Sequence, residues 1–246
     1  MNKVAIVTGG SSGIGRAISE RFAKEGARVI IVGRNEQALQ QSASVSERIC
    51  YVAGDLTQEE TIQKIFALVD EQMQGQLDIL VNNAGWCPVQ PITELTIADH
   101  DRAFSLDVRA LVNMTIHALP YLIKSKGSIL NLSSVGATHR AANLSMYVGA
   151  KAAVENFTRV WAIELASKGV RVNAIAPGAI RTNIWNVTDL SPEAAKKHEE
   201  GIAEGIPFQR FGDPAEVANV ALFLTSAQAS YVSGAIYAVD GAQGAA

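Results

Sequence analysis

Residues 3–15 read "KVAIVTGGSSGIG". The first half is a short run, apolar from Val4 to Val7, as expected of a strand covered on both faces. The second half carries Gly9, Gly10, Gly13 and Gly15. Beyond them Ile14, Ile18 and Phe22 recur along one helical face, and Gly26 offers a C-terminal cap. Strand, glycine turn and helix form one unit of an alternating α/β chain. Glycines there permit a tight turn and let backbone N–H groups approach a pyrophosphate, while the helix N-terminus adds its positive dipole end. Gly9-x-x-x-Gly13-x-Gly15 differs in spacing from the G-x-G-x-x-G dinucleotide fingerprint but occupies the same place between strand and helix. A rival shares these residues: Gly9-x-Ser11-x-Gly13 fits the hydrolase nucleophile elbow, with Ser11 as nucleophile. That elbow needs an oxyanion donor from an earlier loop, and only one strand precedes Ser11. The glycine cluster also runs on to Gly15, which an elbow does not require.

The alternation continues along the chain. "RVIIVG" (28–33) reads as a second strand, followed by a helix from Glu36 and a strand near 49–53. Thr57 and Glu60 suggest a capping box for a helix to about residue 74. "DILVNNAG" (78–85) reads as a strand ending in a turn, 99–123 as a long helix, and "GSILNLSS" (127–134) as a strand. Residues 147–168 read as one long helix and "RVNAIAPG" (171–178) as a strand. Asp213, Pro214 and Glu216 supply cap, first-turn proline and box partner for another helix. "AIYAVDG" (235–241) is a last strand. Strands alternating with helices predict a parallel sheet with helices on both faces. Residues 183–210 break the rhythm, with Ser191 and Pro192 as a helix start, and are expected to form a small substrate lid.

Composition narrows the classes. The 48% hydrophobic content suits a globular chain, and the 18% charged content is low for a disordered one. A net charge of −3 gives no basic surplus for nucleic acid. Two cysteines, Cys50 and Cys87, make neither a disulfide framework nor a zinc set. No apolar run reaches the roughly 20 residues of a membrane span, and the first residues lack a signal-peptide core. A soluble cytoplasmic protein is expected. At 246 residues an α/β fold often forms one domain, here expected to span 1–246.

Where the second strand ends, an acid would accept a hydrogen bond from a ribose 2′-hydroxyl and favour NAD(H). This chain has Gly33 and then Arg34. A guanidinium suits a 2′-phosphate by charge and paired donors, so NADP(H) is the expected cofactor, with NAD(H) possible. In "SMYVGAK" (145–151), Tyr147 and Lys151 stand at i and i+4 on one helical face. A free tyrosine has a pKa near 10 and is a poor base at neutral pH. A nearby cation, or hydrogen bonds to the phenolate, lowers that value and makes the tyrosine a usable acid and base.

Taken in order, these motifs resemble the short-chain dehydrogenase/reductase family, over nearly the whole chain. Thr8-Gly9-x-x-x-Gly13-x-Gly15 is similar to its cofactor loop, "NNAG" (82–85) to the motif ending its fourth strand, and Asp55 in "GDLT" to the acid beside adenine. Ser134, Tyr147 and Lys151 match its catalytic set in order and spacing, and "PGAIRT" (177–182) its P-G-x-I-x-T segment. The resemblance implies a Rossmann-type doubly wound parallel sheet of about seven strands. It implies hydride transfer between nicotinamide and a carbonyl or secondary alcohol. Tyr147 would act as general acid/base, Ser134 would stabilise the oxygen, and Lys151 would lower the tyrosine pKa and hold the ribose. Cofactor contacts would come from Gly9, Ser11, Ser12, Gly13, Ile14, Gly15, Arg34, Asp55, Leu56, Asn83, Ala84, Gly85, Tyr147, Lys151, Pro177, Gly178, Ile180 and Thr182, with Thr182 on the carboxamide. The family's fourth catalytic residue is an asparagine supporting a water relay to the lysine. Here the aligned residue is Asp107, expected to keep that role through its main chain.

Substrate contacts are expected from Trp86, His139, Asn143 and Trp185. His100, His117 and His198 show no metal-ligand spacing, and no metal is expected. Trp161, mid-helix, reads as packing. Family members are commonly tetramers or dimers, and Ala150, Ala152, Ala153 and Ala162 on the Tyr147 helix would allow close subunit packing. Within the enzyme reading, a 3-oxoacyl-(acyl-carrier-protein) reductase is one alternative, although little basic surface beyond Lys124 and Lys126 is available for that acidic partner. A non-catalytic NADP-binding sensor is the alternative of another class. The complete Ser134, Tyr147 and Lys151 set argues against it.

Overall fold

The computed structural model describes residues 2–182 and 200–245. Seven parallel strands form one sheet: β1 (Val4–Thr8), β2 (Arg28–Gly33), β3 (Ile49–Ala53), β4 (Ile79–Asn82), β5 (Ser128–Leu132), β6 (Arg171–Pro177) and β7 (Ile236–Val239). Their spatial order is β3-β2-β1-β4-β5-β6-β7. The chain therefore leaves β1 toward one edge and returns to β4 on its other side. That reversal opens a crevice beyond the carboxyl ends of β1 and β4, the place where open α/β sheets bind ligands.

The helices include α1 (Gly13–Lys24), α2 (Glu36–Ala43), α3 (Glu59–Met73), α4 (Ile97–Phe104), α5 (Leu111–Ser125), α6 (Ser145–Ala166) and α7 (Pro214–Thr225). Both faces of the sheet are covered, which is why β1 is buried along its whole length. Val4 and Ile6 point to the face packed by Ile62, Ile65 and Val69 of α3 and Met114, Ala118 and Leu122 of α5. Ala5 and Val7 point to the other, against Ile18 and Phe22 of α1, Leu39 of α2 and Val217 and Ala221 of α7. Continuous apolar strands and one-sided helices follow from this two-faced burial.

Several boundaries differ from expectation for local reasons. Thr57 and Glu60 form no capping box. Thr57 donates both its N–H (2.9 Å) and its hydroxyl (2.8 Å) to Asp55 Oδ1, and α3 begins without a side-chain cap. The predicted helix over 99–123 starts earlier, at a capping box of Thr96 and Asp99. It is also interrupted by a π-helical turn, Ser105–Ala110, between α4 and α5. The Asp213–Glu216 capping box and the first-turn proline of α7 are present. Most of the expected lid, with Ser191, Pro192 and His198, lies outside the described residues. Of its remainder, Ile206 packs with Ala179 and Phe211 in a small satellite cluster. Among the described residues, no helix is long and apolar enough to cross a membrane.

Candidate active site

The glycine loop is shaped by contacts that exclude side chains. Gly9 and Gly13 adopt left-handed backbone angles, φ +67° and +53°. A Cβ on Gly9 would lie 2.7 Å from Asn83 Nδ2, and one on Gly15 would collide with the Gly9 carbonyl. The "NNAG" segment clamps this loop. Asn83 Nδ2 donates to the Thr8 carbonyl (2.8 Å), while the N–H groups of Asn83 and Ala84 donate to Thr8 Oγ1 (2.9 and 3.0 Å). Asn83, expected at the cofactor, thus spends its amide donors on holding the loop. Thr8, which opens the glycine motif, is the residue that receives these bonds.

α1 begins at this loop with no side-chain cap from Ser12 and no acidic residue in its first turn. Its first N–H groups and dipole end are left for an anion, which fits a pyrophosphate. At the end of β2, Arg34 is exposed and has no ion-pair or hydrogen-bond partner among the described residues. Ser11 Oγ lies 3.3 Å from the position a Cβ on the adjacent Gly33 would take. From the other side, the Thr182 methyl lies 3.0 Å from where a Cβ on Gly13 would stand. The "PGAIRT" segment therefore closes over the loop. It is anchored by the Gly178 N–H on the Val239 carbonyl (3.0 Å) and by a bridge from the buried Ile180 to Gly212. Leu56 is buried, and the Asp55 carboxylate is occupied in its turn with Thr57.

Ser134, Tyr147 and Lys151 meet beyond β5. Ser134 is extended (φ −161°, ψ 149°), and its Oγ accepts the Gly136 N–H at 3.1 Å. Tyr147 and Lys151 sit one turn apart on α6, with Nζ 5.5 Å from the tyrosine ring centroid. Lys151 is only 4% exposed. Its Nζ donates to the Leu132 carbonyl (3.1 Å) and stands 3.1 Å from Asp107 Oδ1. Asp107, 1% exposed on the π-helical turn, uses its other oxygen to accept the Trp86 N–H at 2.9 Å. Asp107 stands where the family has its relay asparagine. Here the side chain of residue 107 meets Lys151 directly.

The electrostatics differ from the sequence argument in one respect. Lys151 and a Ser134 hydrogen bond do pull the Tyr147 phenol downward, but burial outweighs them. With the Cys87 and Asp107 contributions added, the phenol is held above its ordinary value. Burial also presses the Lys151 ammonium down, and Asp107 more than restores it, with help from Tyr147. Cys87, which the motif reading passed over two residues beyond "NNAG", belongs to this cluster. Burial, then Asp107, pushes its thiol up to about 11.

The expected substrate residues are not equally placed. Trp86 is half-buried at the site, with the Arg102 guanidinium 4.0 Å above its ring. His139 is exposed after the Ser134 turn. Asn143 is a left-handed corner (φ +67°) whose carbonyl accepts the Gln90 N–H at 2.8 Å, so it shapes the loop. Trp185 lies outside the described residues. His100 and His117 serve locally, on Asp101 and Glu59. Trp161 stacks on Phe157 as a packing residue.

Comparison with known proteins agrees with this geometry. A family model described as "Enoyl-(Acyl carrier protein) reductase" matches residues 9–242. The 3-oxoacyl-(acyl-carrier-protein) reductase of Thermotoga maritima is 37% identical, covering 97% of this chain and 96% of its own. The meso-2,3-butanediol dehydrogenase of Serratia marcescens is 36% identical, covering 98% and 94%. Among solved structures, a Caenorhabditis elegans short-chain dehydrogenase/reductase of unknown function, determined with cofactor, superposes with a TM-score of 0.92. It is 35% identical and covers 98% of this chain and 95% of its own. The Brucella melitensis 3-ketoacyl-(acyl-carrier-protein) reductase, determined with NADH, gives 0.89 at 32% identity and covers 98% of both chains. A glycine loop at the β1/β4 reversal, a serine–tyrosine–lysine cluster beyond β5 and relatives matched nearly end to end place the chain in the short-chain dehydrogenase/reductase family of oxidoreductases.

Proposed function

We propose that this chain is an NADP(H)-dependent reductase of ketones or aldehydes, reversible as a secondary-alcohol dehydrogenase, working as one catalytic domain. The observation that carries the reading is the cluster of Ser134, Tyr147 and Lys151, whose Nζ lies 3.2 Å from where a Cβ on Gly85 would stand, in the segment that clamps the glycine loop. A bound nicotinamide supplies the hydride for the carbonyl carbon. Tyr147 gives its phenolic proton to the carbonyl oxygen, and Ser134 donates a hydrogen bond to that oxygen as negative charge develops on it. Lys151 favours the phenolate left behind. In the oxidative direction Tyr147 takes the alcohol proton.

Arg34 and the neighbouring Ser11 hydroxyl support a 2′-phosphate at the end of β2. The related proteins act on substrates as different as acyl-carrier-protein thioesters and butanediol, so overall likeness does not select a substrate. A 3-oxoacyl thioester is the second reading, favoured by the T. maritima and B. melitensis relatives. Two free thiols support a reducing compartment such as the cytoplasm. Ile116 on α5 and Val160 and Ile163 on α6 are exposed and support a dimer or tetramer built on those helices. Ala150 and Ala162 are buried within the chain itself, so the subunit contact would use Ala152 and these larger side chains instead.

The test is calorimetric titration of NADPH and NADH, followed by NADPH consumption over a panel of ketones, aldehydes and 3-oxoacyl thioesters. NADPH should bind at least about tenfold tighter, and Arg34→Ala should close that gap. Equal affinities in the wild type would refute the 2′-phosphate assignment. Absence of turnover over the whole panel would refute the reductase.

A further inference from the structure

We propose that Asp107 is a positioning residue that acts on Tyr147 through Lys151, keeping the proton-donating form of the site up to higher pH. The inference rests on the reading of Tyr147 as the proton donor.

A lysine beside a catalytic tyrosine favours the phenolate because an ammonium attracts it. Here that ammonium is 4% exposed, and a carboxylate that is 1% exposed lies 3.1 Å from it. Seen from the tyrosine, a close pair of opposite charges is nearly neutral, and burial shields both partners from solvent screening. The carboxylate therefore cancels much of the help that Lys151 gives to a phenolate.

Among the described residues, the groups facing the phenol come from four places in the fold. Lys151 lies on the same helix, Ser134 beyond β5, Cys87 in the loop after β4, and Asp107 on the π-helical turn. With its pKa near 11, the Cys87 thiol is neutral at ordinary pH and adds no charge there. Lys151 and Asp107 are thus the two formal charges in this set.

The carboxylate is also held in place. Oδ2 accepts the Trp86 N–H, Oδ1 faces Lys151, and the pair fills a slot beside Gly85, where a Cβ would stand 2.7 Å from Oδ1 and 3.2 Å from Nζ. Oδ2 accepts a hydrogen bond, while Oδ1 meets the ammonium as an ion pair and has no hydrogen-bond donor among the described residues. An amide has one acceptor and can serve only one of these partners. A π-helical turn places this residue, as such turns often do at functional sites. The overall equilibrium between carbonyl and alcohol is untouched. What moves is the pH at which the site exchanges its proton-donating form for its proton-accepting one.

The experiment is a phenolate absorbance titration of the full-length protein. The signal of Tyr147 is isolated by subtracting the corresponding Tyr147→Phe protein, in the wild-type background and in Asp107→Asn. The midpoint should fall by about one pH unit or more in Asp107→Asn. The rising limb of kcat for alcohol oxidation with NADP+ should move to lower pH by the same amount. A merely structural role would lower turnover without moving either midpoint. Should Asp107→Asn fail to fold, Asp107→Ser gives the same comparison. An unchanged or higher phenolate midpoint overturns the proposal. Because the titration needs no turnover, it reads the Asp107 effect even if Tyr147→Phe retains activity, a result that would instead overturn the proton-donor reading.

Discussion

Removing Lys151 tests how tightly the catalytic cluster is bound into the stability of the fold. In Lys151→Met the aliphatic stem is roughly preserved, but Asp107 is left as a buried carboxylate with only the Trp86 N–H as partner. Breaking one side of a buried ion pair costs about 3–5 kcal/mol, because the surviving charge is uncompensated. The Trp86 hydrogen bond offsets part of that, so the lower end, about 3 kcal/mol, is expected. For a chain of this size each kcal/mol lowers Tm by about 2–4 °C, which gives a fall of about 6–12 °C. Asp107→Leu leaves the Lys151 ammonium with the Leu132 carbonyl and the Tyr147 ring but no counter-charge, and should cost a similar amount. The double variant Lys151→Met/Asp107→Leu carries neither charge. The Trp86 N–H and the Leu132 carbonyl lose their partners in it, but each also does so in one of the single variants, so that cost cancels in the cycle. Denaturant unfolding of all four proteins closes the cycle. The double variant should be more stable than the sum of the singles by about 2 kcal/mol or more. Additivity within about 0.5 kcal/mol would refute the coupling and with it the electrostatic account of the site.

Other outcomes follow from single contacts. Gly13→Ala forces a Cβ onto a backbone at φ +53°, 3.0 Å from the Thr182 methyl, and should weaken NADPH binding about tenfold or more by calorimetry. Ser134→Ala removes a donor to the reacting oxygen and should lower kcat by about 10²–10³ with little change in Tm. Glu216, whose pKa is held down to about 2 chiefly by its Arg210 hydrogen bonds, has a folded pKa below its unfolded one. Its contribution is present above the unfolded pKa and is lost as pH falls toward about 2. Glu216→Gln should therefore flatten the loss of stability on acidification in that window, read by denaturant midpoints, although solvent exposure keeps the effect small.

The strands were legible because they are buried on both faces. Continuous apolar runs such as Val4–Val7 and Val29–Val32 admit few other readings in a chain that alternates with helices. The start of α7 was legible because cap, proline and box partner lie within four residues of one another. Thr57 misled because Asp55, two residues earlier, competes for its hydroxyl, and a short-range turn defeats a longer-range box. The Ser134, Tyr147 and Lys151 set was legible as motif and spacing, but its electrostatics were not. The sign of the Tyr147 shift depends on how deeply the phenol is packed and on a carboxylate from a distant helical turn. The Asp107 side-chain contact with Lys151 depends on the π-helical register between α4 and α5, and no local pattern in "FSLDVRAL" announces it. Cys87 has no motif of its own and joins the site only because β4 delivers the loop there.

The proposed mechanism has Tyr147 move the proton. Its most direct test is NADPH consumption with a responsive carbonyl substrate, comparing the wild type with Tyr147→Phe at matched NADPH occupancy. Turnover is expected in the wild type and should fall by about 10²-fold or more in a variant that still folds and still binds NADPH. Equal turnover in the two proteins would contradict the mechanism.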